Sequence, residues 1–123
     1  MSEFDELILI VEKLRVECPW DKEQTHESLA KHLIEESYEL LDAISKLDAT
    51  QESFDDLKGE LGDVLLQIFL HSKIAEEKEF FNMSDVMISL REKLIKRHPH
   101  IFEDKQLETA EEVEKQWEKI KQQ

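Results

Sequence analysis

The sequence is short of every residue that interrupts a chain. Its 123 residues hold two glycines, Gly59 and Gly62, and two prolines, Pro19 and Pro99. So few breakers cannot punctuate a many-stranded sheet, and the chain reads as helical throughout. A single cysteine, Cys18, excludes an internal disulfide framework and fits a reducing compartment. No apolar run approaches the ~20 residues of a membrane span. The opening residues, Met1-Ser2-Glu3-Phe4-Asp5-Glu6, lack the basic n-region of a signal peptide, so a cytoplasmic protein is expected. Positive charge is the other scarcity. Sixteen basic residues stand against thirty acidic ones, a net charge of −14. Neither a nucleic-acid backbone nor an anionic membrane is attracted to such a surface, so neither is an expected partner. What remains is 40% apolar and 37% charged, a globular composition. The length suits one domain, residues 1–123. No repeat, low-complexity tract or linker interrupts it.

Hydrophobic spacing predicts a bundle of about five helices. The first covers about Ser2 to Val16, with Phe4, Leu7, Ile8, Val11 and Leu14 at helical intervals. Cys18-Pro19-Trp20-Asp21 reads as a break. The second runs from about Thr25 to Leu47, with Leu29, Leu33, Leu40, Ile44 and Leu47 on one stripe. The third begins at Ser53, with Asp56 in a capping-box-like position, and continues to about Glu79. Ser84 is a cap for the fourth, which Pro99 stops. Thr109 and Glu112 form a capping box for the last, with Val113, Trp117 and Ile120 turned inward. The third helix contains Val64, Leu65, Leu66, Ile68, Phe69 and Leu70 and is apolar almost all the way round. A helix of that kind needs neighbours on two sides. Either a homodimer places it at the subunit interface, or the other helices of the same chain wrap it.

Carboxylates occupy unexpected faces of the second and third helices. With Leu29 set at zero and about 100° per residue, Glu36 falls at about 340°, inside the apolar stripe, and Glu39 at about 280°, on its margin. Glu35 lies further round. On the third helix Glu60 and Asp63 share one flank of the Leu57, Leu61, Val64 and Ile68 stripe, with Gln67 and His71 extending that polar line. A charged carboxylate turned toward a core is costly unless a basic group or a cation offsets it. Two i,i+3 pairs, Glu36 with Glu39 and Glu60 with Asp63, facing each other would form a four-carboxylate cage. Hard oxygen ligands without cysteine select Mg²⁺, Mn²⁺ or Ca²⁺ over Zn²⁺. The alternative is a solvated acidic face with one salt-bridged glutamate. Gly59 and Gly62 flank these carboxylates. They mark a close backbone approach, room for a ligand, or a local kink.

Five strings in order resemble the MazG-type nucleoside triphosphate pyrophosphohydrolases. Cys18-Pro19-Trp20-Asp21-Lys22-Glu23-Gln24-Thr25-His26 is similar to that family's opening signature. Leu33-Ile34-Glu35-Glu36-Ser37-Tyr38-Glu39 resembles its Glu-Glu-x-x-Glu helix, and Gly59-Glu60-Leu61-Gly62-Asp63 its Glu-x-x-Asp helix. Arg97-His98-Pro99-His100-Ile101-Phe102 and Trp117-Glu118-Lys119-Ile120-Lys121 resemble its later motifs. The likeness covers roughly residues 5–121. It implies an all-α, dimeric or higher, Mg²⁺-dependent enzyme, with Mn²⁺ as a substitute, that hydrolyses (d)NTPs to the monophosphate and pyrophosphate. By resemblance Glu36, Glu39, Glu60 and Asp63 are the metal ligands, and Glu35 acts on metal or substrate through water. Some members carry two tandem copies of the domain. This chain has one, so the preferred substrate does not carry over.

A nucleoside triphosphate and this acidic chain repel unless cations intervene. In the mechanism expected, water attacks the α-phosphorus with help from Glu36 or a neighbouring carboxylate. Lys93 and Arg97, i,i+4 on the fourth helix, are the expected phosphate contacts, with Lys31 and Lys22 as weaker candidates. Trp20 either stacks on a base or plugs the core. Cys18 is expected to be buried, His71 to be a satisfied core histidine, and His98 and His100 to mark a helix stop. The lone Glu23-x-x-His26 pair disfavours a di-iron site, which needs two. The competing function is an acidic helical module that presents its carboxylates to a basic protein, with Glu36 neutralised by an internal lysine or arginine.

Overall fold

The computed structural model describes residues 1–103 and 106–122. Its helices are α1 (Glu3–Glu17), α2 (Pro19–Glu23), α3 (His26–Ser45), α4 (Gln51–Glu77), α5 (Met83–Arg97), α6 (Pro99–Phe102) and α7 (Ala110–Lys121). No strand occurs among the described residues, so the all-α expectation holds. The count exceeds the five predicted because each proline starts a short helix instead of only breaking one. Pro19 and Pro99 occupy the first position of α2 and α6. There the missing N–H would have had no partner anyway, and the fixed φ suits a helix.

Hydroxyl caps set most of the other boundaries. Ser2 caps α1, Thr25 caps α3 and Thr109 caps α7, each accepting a backbone N–H three residues on. For α4 the expected cap was Ser53, and the structure corrects it. Thr50 accepts the Ser53 N–H at 3.2 Å, and the Ser53 hydroxyl donates back to the Thr50 carbonyl at 2.9 Å. Ser53 is therefore a buried residue inside the helix. The five residues between α3 and α4 turn through Ala49, which has φ of 70°.

The chain forms two compact units, Met1–Met83 and Ser84–Gln123. In the first, α3 and α4 pair along their length and α1 packs on α4. The core is Val11, Leu29, Phe69, Leu70 and Ile74, with Phe4, Ile8 and Met83 against it. The remaining apolar face of α4 is open. Leu61 is 51% exposed, and Leu65, Leu66 and Ile68 are also exposed. Within this unit α1 and α3 therefore leave that face of α4 uncovered. In the second unit the expected inward face of α7 needs correction. Val113, Trp117 and Ile120 are half-buried, and the residue that goes inside is Gln116. Trp117 meets the His98 ring edge-on at 5.0 Å and carries the Arg97 guanidinium 5.2 Å above its face.

Candidate metal centre

The cage grows out of the α3–α4 pairing. Glu36 and Glu39 are one turn apart on α3, and Glu60 and Asp63 are one turn apart on α4. Each offers one carboxylate oxygen to a group in which all four atoms lie within 4.8 Å of one another. Glu36 and Glu60 are half-buried, whereas Glu39 and Asp63 are exposed, so the cage has an inner pair and an open rim. The inner Oε2 atoms of Glu36 and Glu60 are buried with no hydrogen-bond partner. Among the described residues no lysine or arginine forms an ion pair with any of the four. The neutralised glutamate of the binding-module alternative is therefore not seen.

The charges confirm the strain of this arrangement. Burial, followed by the carboxylates of Glu39 and Asp63, pushes the Glu36 carboxyl above its ordinary range. Glu60 is raised by the same causes in the same order. Two buried, unpartnered carboxylate oxygens beside two more carboxylates, with nothing basic paired to them, fit a hard divalent cation. The donor set is all oxygen, which suits Mg²⁺ or Mn²⁺.

An open groove of about 860 Å³ leads away from the cage along the α3–α4 hairpin. Tyr38, Glu39, Asp42, Gly59, Glu60 and Asp63 line it. The glycines do not serve a close approach. A Cβ at Gly59 or Gly62 would meet nothing within 4 Å, so they leave open space beside the carboxylates.

The other expected site residues are placed as follows. Glu35 stands outside the cage, exposed, with its Oε2 3.7 Å from His32 Nδ1. Trp20 is 49% exposed and so is no core plug. Its ring meets His32 edge-on, with centroids 5.3 Å apart. Lys31 is exposed on α3 and Lys22 on α2. Lys93 and Arg97 belong to α5 in the second unit, Lys93 exposed and Arg97 over Trp117. Cys18 is half-buried rather than buried. His71 is not a fully satisfied core histidine. Its Nδ1 lies 2.7 Å from His26 Nδ1, its Nε2 is buried without a partner, and burial and His26 lower its pKa. Neither the contact of His26 with His71 nor that of His32 with Trp20 was expected; His32 alone had a usable signal, its position one turn before Glu36.

Residues 24–102 match the MazG nucleotide pyrophosphohydrolase domain. The chain belongs to that family. It is 50% identical over 120 residues to the nucleoside triphosphate pyrophosphohydrolase/pyrophosphatase MazG of Thermotoga maritima, covering 96% of this chain and 44% of that protein. It is 44% identical over 124 residues to the nucleoside triphosphate pyrophosphohydrolase of Escherichia coli K12, covering 98% of this chain and 45% of that one. The chain thus spans about half the length of these curated relatives. The crystal structure of a mazG-related protein from Thermotoga maritima superimposes with a TM-score of 0.75 at 26% identity. That match covers 97% of this chain and 99% of the other.

Proposed function

We propose that this MazG-family chain is a Mg²⁺-dependent hydrolase of nucleoside triphosphates, releasing the monophosphate and pyrophosphate in nucleotide-pool house-cleaning. The observation that carries the reading is the cage itself, four carboxylates from two helices with their inner oxygens unpartnered. Glu36, Glu39, Glu60 and Asp63 would hold the cation, with Mn²⁺ as a substitute. Bound there, the ion supplies the positive charge that lets a polyphosphate approach a chain of net charge −14.

This chain's own residues do the rest. Water attacks the α-phosphorus in line, its oxygen forms the new P–O bond, and the bond from that phosphorus to the bridging oxygen breaks. The proton lost by the water goes to a carboxylate, Glu36 or its exposed neighbour Glu35. Lys93 and Arg97 are our proposed contacts for the developing charge of the leaving pyrophosphate, with Lys31 and Lys22 as weaker candidates. Trp20 stacks on the base. We take residues 1–123 to act as one domain, working in the cytoplasm as a homodimer or higher homo-oligomer. The apolar face that α4 leaves open supports the oligomer.

The test is a pyrophosphate-release screen over common and damaged (d)NTPs, run with Mg²⁺ and with EDTA. Release from at least one nucleotide with Mg²⁺, lost in EDTA, is expected. No release from any nucleotide overturns the reading.

A further inference from the structure

Arg15, in the last turn of α1, ties three helices together. Its side chain is only 9% exposed. Nε donates to Glu77 Oε2 at 2.9 Å and Nη2 donates to Oε1 at 2.7 Å, a bidentate pair with the last turn of α4. Nη1 points the other way, donating to the carbonyls of Asp21 at 2.6 Å and Gln24 at 2.9 Å. Those carbonyls close the C-terminal end of α2. The Asp21 carbonyl also accepts the Gln24 N–H at 3.3 Å, but a five-residue helix has no stability in isolation. Where α2 sits is therefore decided from outside it: Arg15 reaches it from α1, and the Ser28 hydroxyl of α3 donates to the Gln24 side-chain Oε1 at 2.8 Å.

What α2 carries is Trp20. Gln24 accepts Arg15 through its carbonyl and donates from its side-chain Nε2 to the Trp20 carbonyl at 2.9 Å, so the bonds run from Glu77 to the tryptophan's backbone. The half-exposed indole then meets His32 with the two rings near perpendicular, at 77°, one helical turn from Glu36 of the cage. A T-shaped contact with a single imidazole covers at most one of the indole's two faces. A planar guanidinium can satisfy a carboxylate on one side and two carbonyls on the other, whereas a lysine ammonium is a point charge without that fork.

We propose that Arg15, braced by Glu77, is a positioning residue that holds the Trp20 turn against α3 and so keeps a preformed stacking face for the nucleotide's base. This rests on the hydrolase reading above. Ordering Trp20 before binding removes a cost from nucleotide association and leaves the chemical step untouched. Disturbing Arg15 therefore weakens KM and spares kcat.

The experiment has two readouts. The first is kinetic, using whichever (d)NTP the screen finds. Arg15→Lys, which keeps the charge, is expected to raise KM about tenfold, the scale of one lost base stack, with kcat within about twofold of the parent. In a Trp20→Ala background the same substitution adds nothing to KM. A KM unchanged in Arg15→Lys, or raised equally with and without Trp20, overturns the proposal. The second needs no activity. In a Trp117→Phe background Trp20 is the one indole left, and acrylamide quenching reads its accessibility. Arg15→Lys is expected to raise the quenching constant about twofold, and an unchanged constant overturns the proposal. Far-UV CD monitors folding. If Arg15→Lys does not fold, Glu77→Gln carries both measurements, because it loosens the brace and keeps the guanidinium. Absence of pyrophosphate release by the parent protein sinks the hydrolase reading and the stacking role with it, and the quenching result still decides whether Arg15 holds the turn.

Discussion

Glu36 sits in an apolar stripe, half-buried, with three carboxylates for neighbours and no basic partner to offset them. Removing its charge has opposite effects on stability and on function. Glu36→Gln and Asp63→Asn are each expected to abolish pyrophosphate release while the helical CD spectrum stays intact. In EDTA, Glu36→Gln should melt above the parent protein, because a buried like charge is gone. The gain in melting temperature on adding millimolar Mg²⁺ should shrink correspondingly. Near-normal turnover in either variant would remove these residues from the ligand set. Glu77 illustrates the reverse sign. Its hydrogen bonds with Arg15 hold the carboxyl below the ordinary carboxylate range, so the folded chain favours the charged form. That stabilisation is present above the unfolded value and fades as pH falls through the folded one. Urea melts of the parent and Glu77→Gln should therefore differ most at neutral pH and converge toward pH 3. A gap independent of pH would show that the pair contributes through packing alone.

The helices were largely visible in the sequence, and their ends less so. The stripes through Val11 and Leu29 had the right period, whereas the Leu57, Leu61, Val64 and Ile68 stripe leaves Leu61 and Ile68 exposed while Phe69, Leu70 and Ile74 go inside; Thr109 was a legible cap because its partner sits three residues on. Each proline does stop the helix before it, and the same constraint lets it start the next, which adds α2 and α6. Ser53 was misjudged as a cap because Thr50, one turn earlier, offers the same chemistry and competes for the role. Two opposite substitutions test how local backbone preference sets these elements. Gly62 lies mid-helix and a Cβ there meets nothing, so Gly62→Ala should stabilise by about 1 kcal/mol. Ala49 turns the α3–α4 connection at positive φ, so Ala49→Gly should stabilise by up to about 1 kcal/mol despite the looser unfolded chain. Chemical denaturation of each variant measures both. A loss of stability in either would mean that neighbours, rather than the local backbone, set the conformation.

At the scale of the whole molecule the apolar face of α4 calls for a cover. Ile34, Tyr38 and Leu41 on α3 and Leu61, Leu65 and Leu66 on α4 are all exposed, and exposed apolar surface of this kind marks an interaction site. A homodimer or larger assembly is expected in sedimentation at micromolar concentration, and Leu65→Glu should shift it toward monomer. A parent protein that sediments as a monomer would refute the buried-interface reading. The four ligand candidates were readable without coordinates, because period alone puts Glu36 inside a stripe and Glu60 with Asp63 on one flank. The sequence alone therefore determined the helical class, the acidic character and which carboxylates are out of place, since all three follow from composition and a 3.6-residue repeat. It could not say that Glu36 and Glu60 would face each other, that His26 would meet His71, or that Arg15 would reach Glu77. Those pairings join residues tens of positions apart, and only the packing of one helix on another brings them within reach.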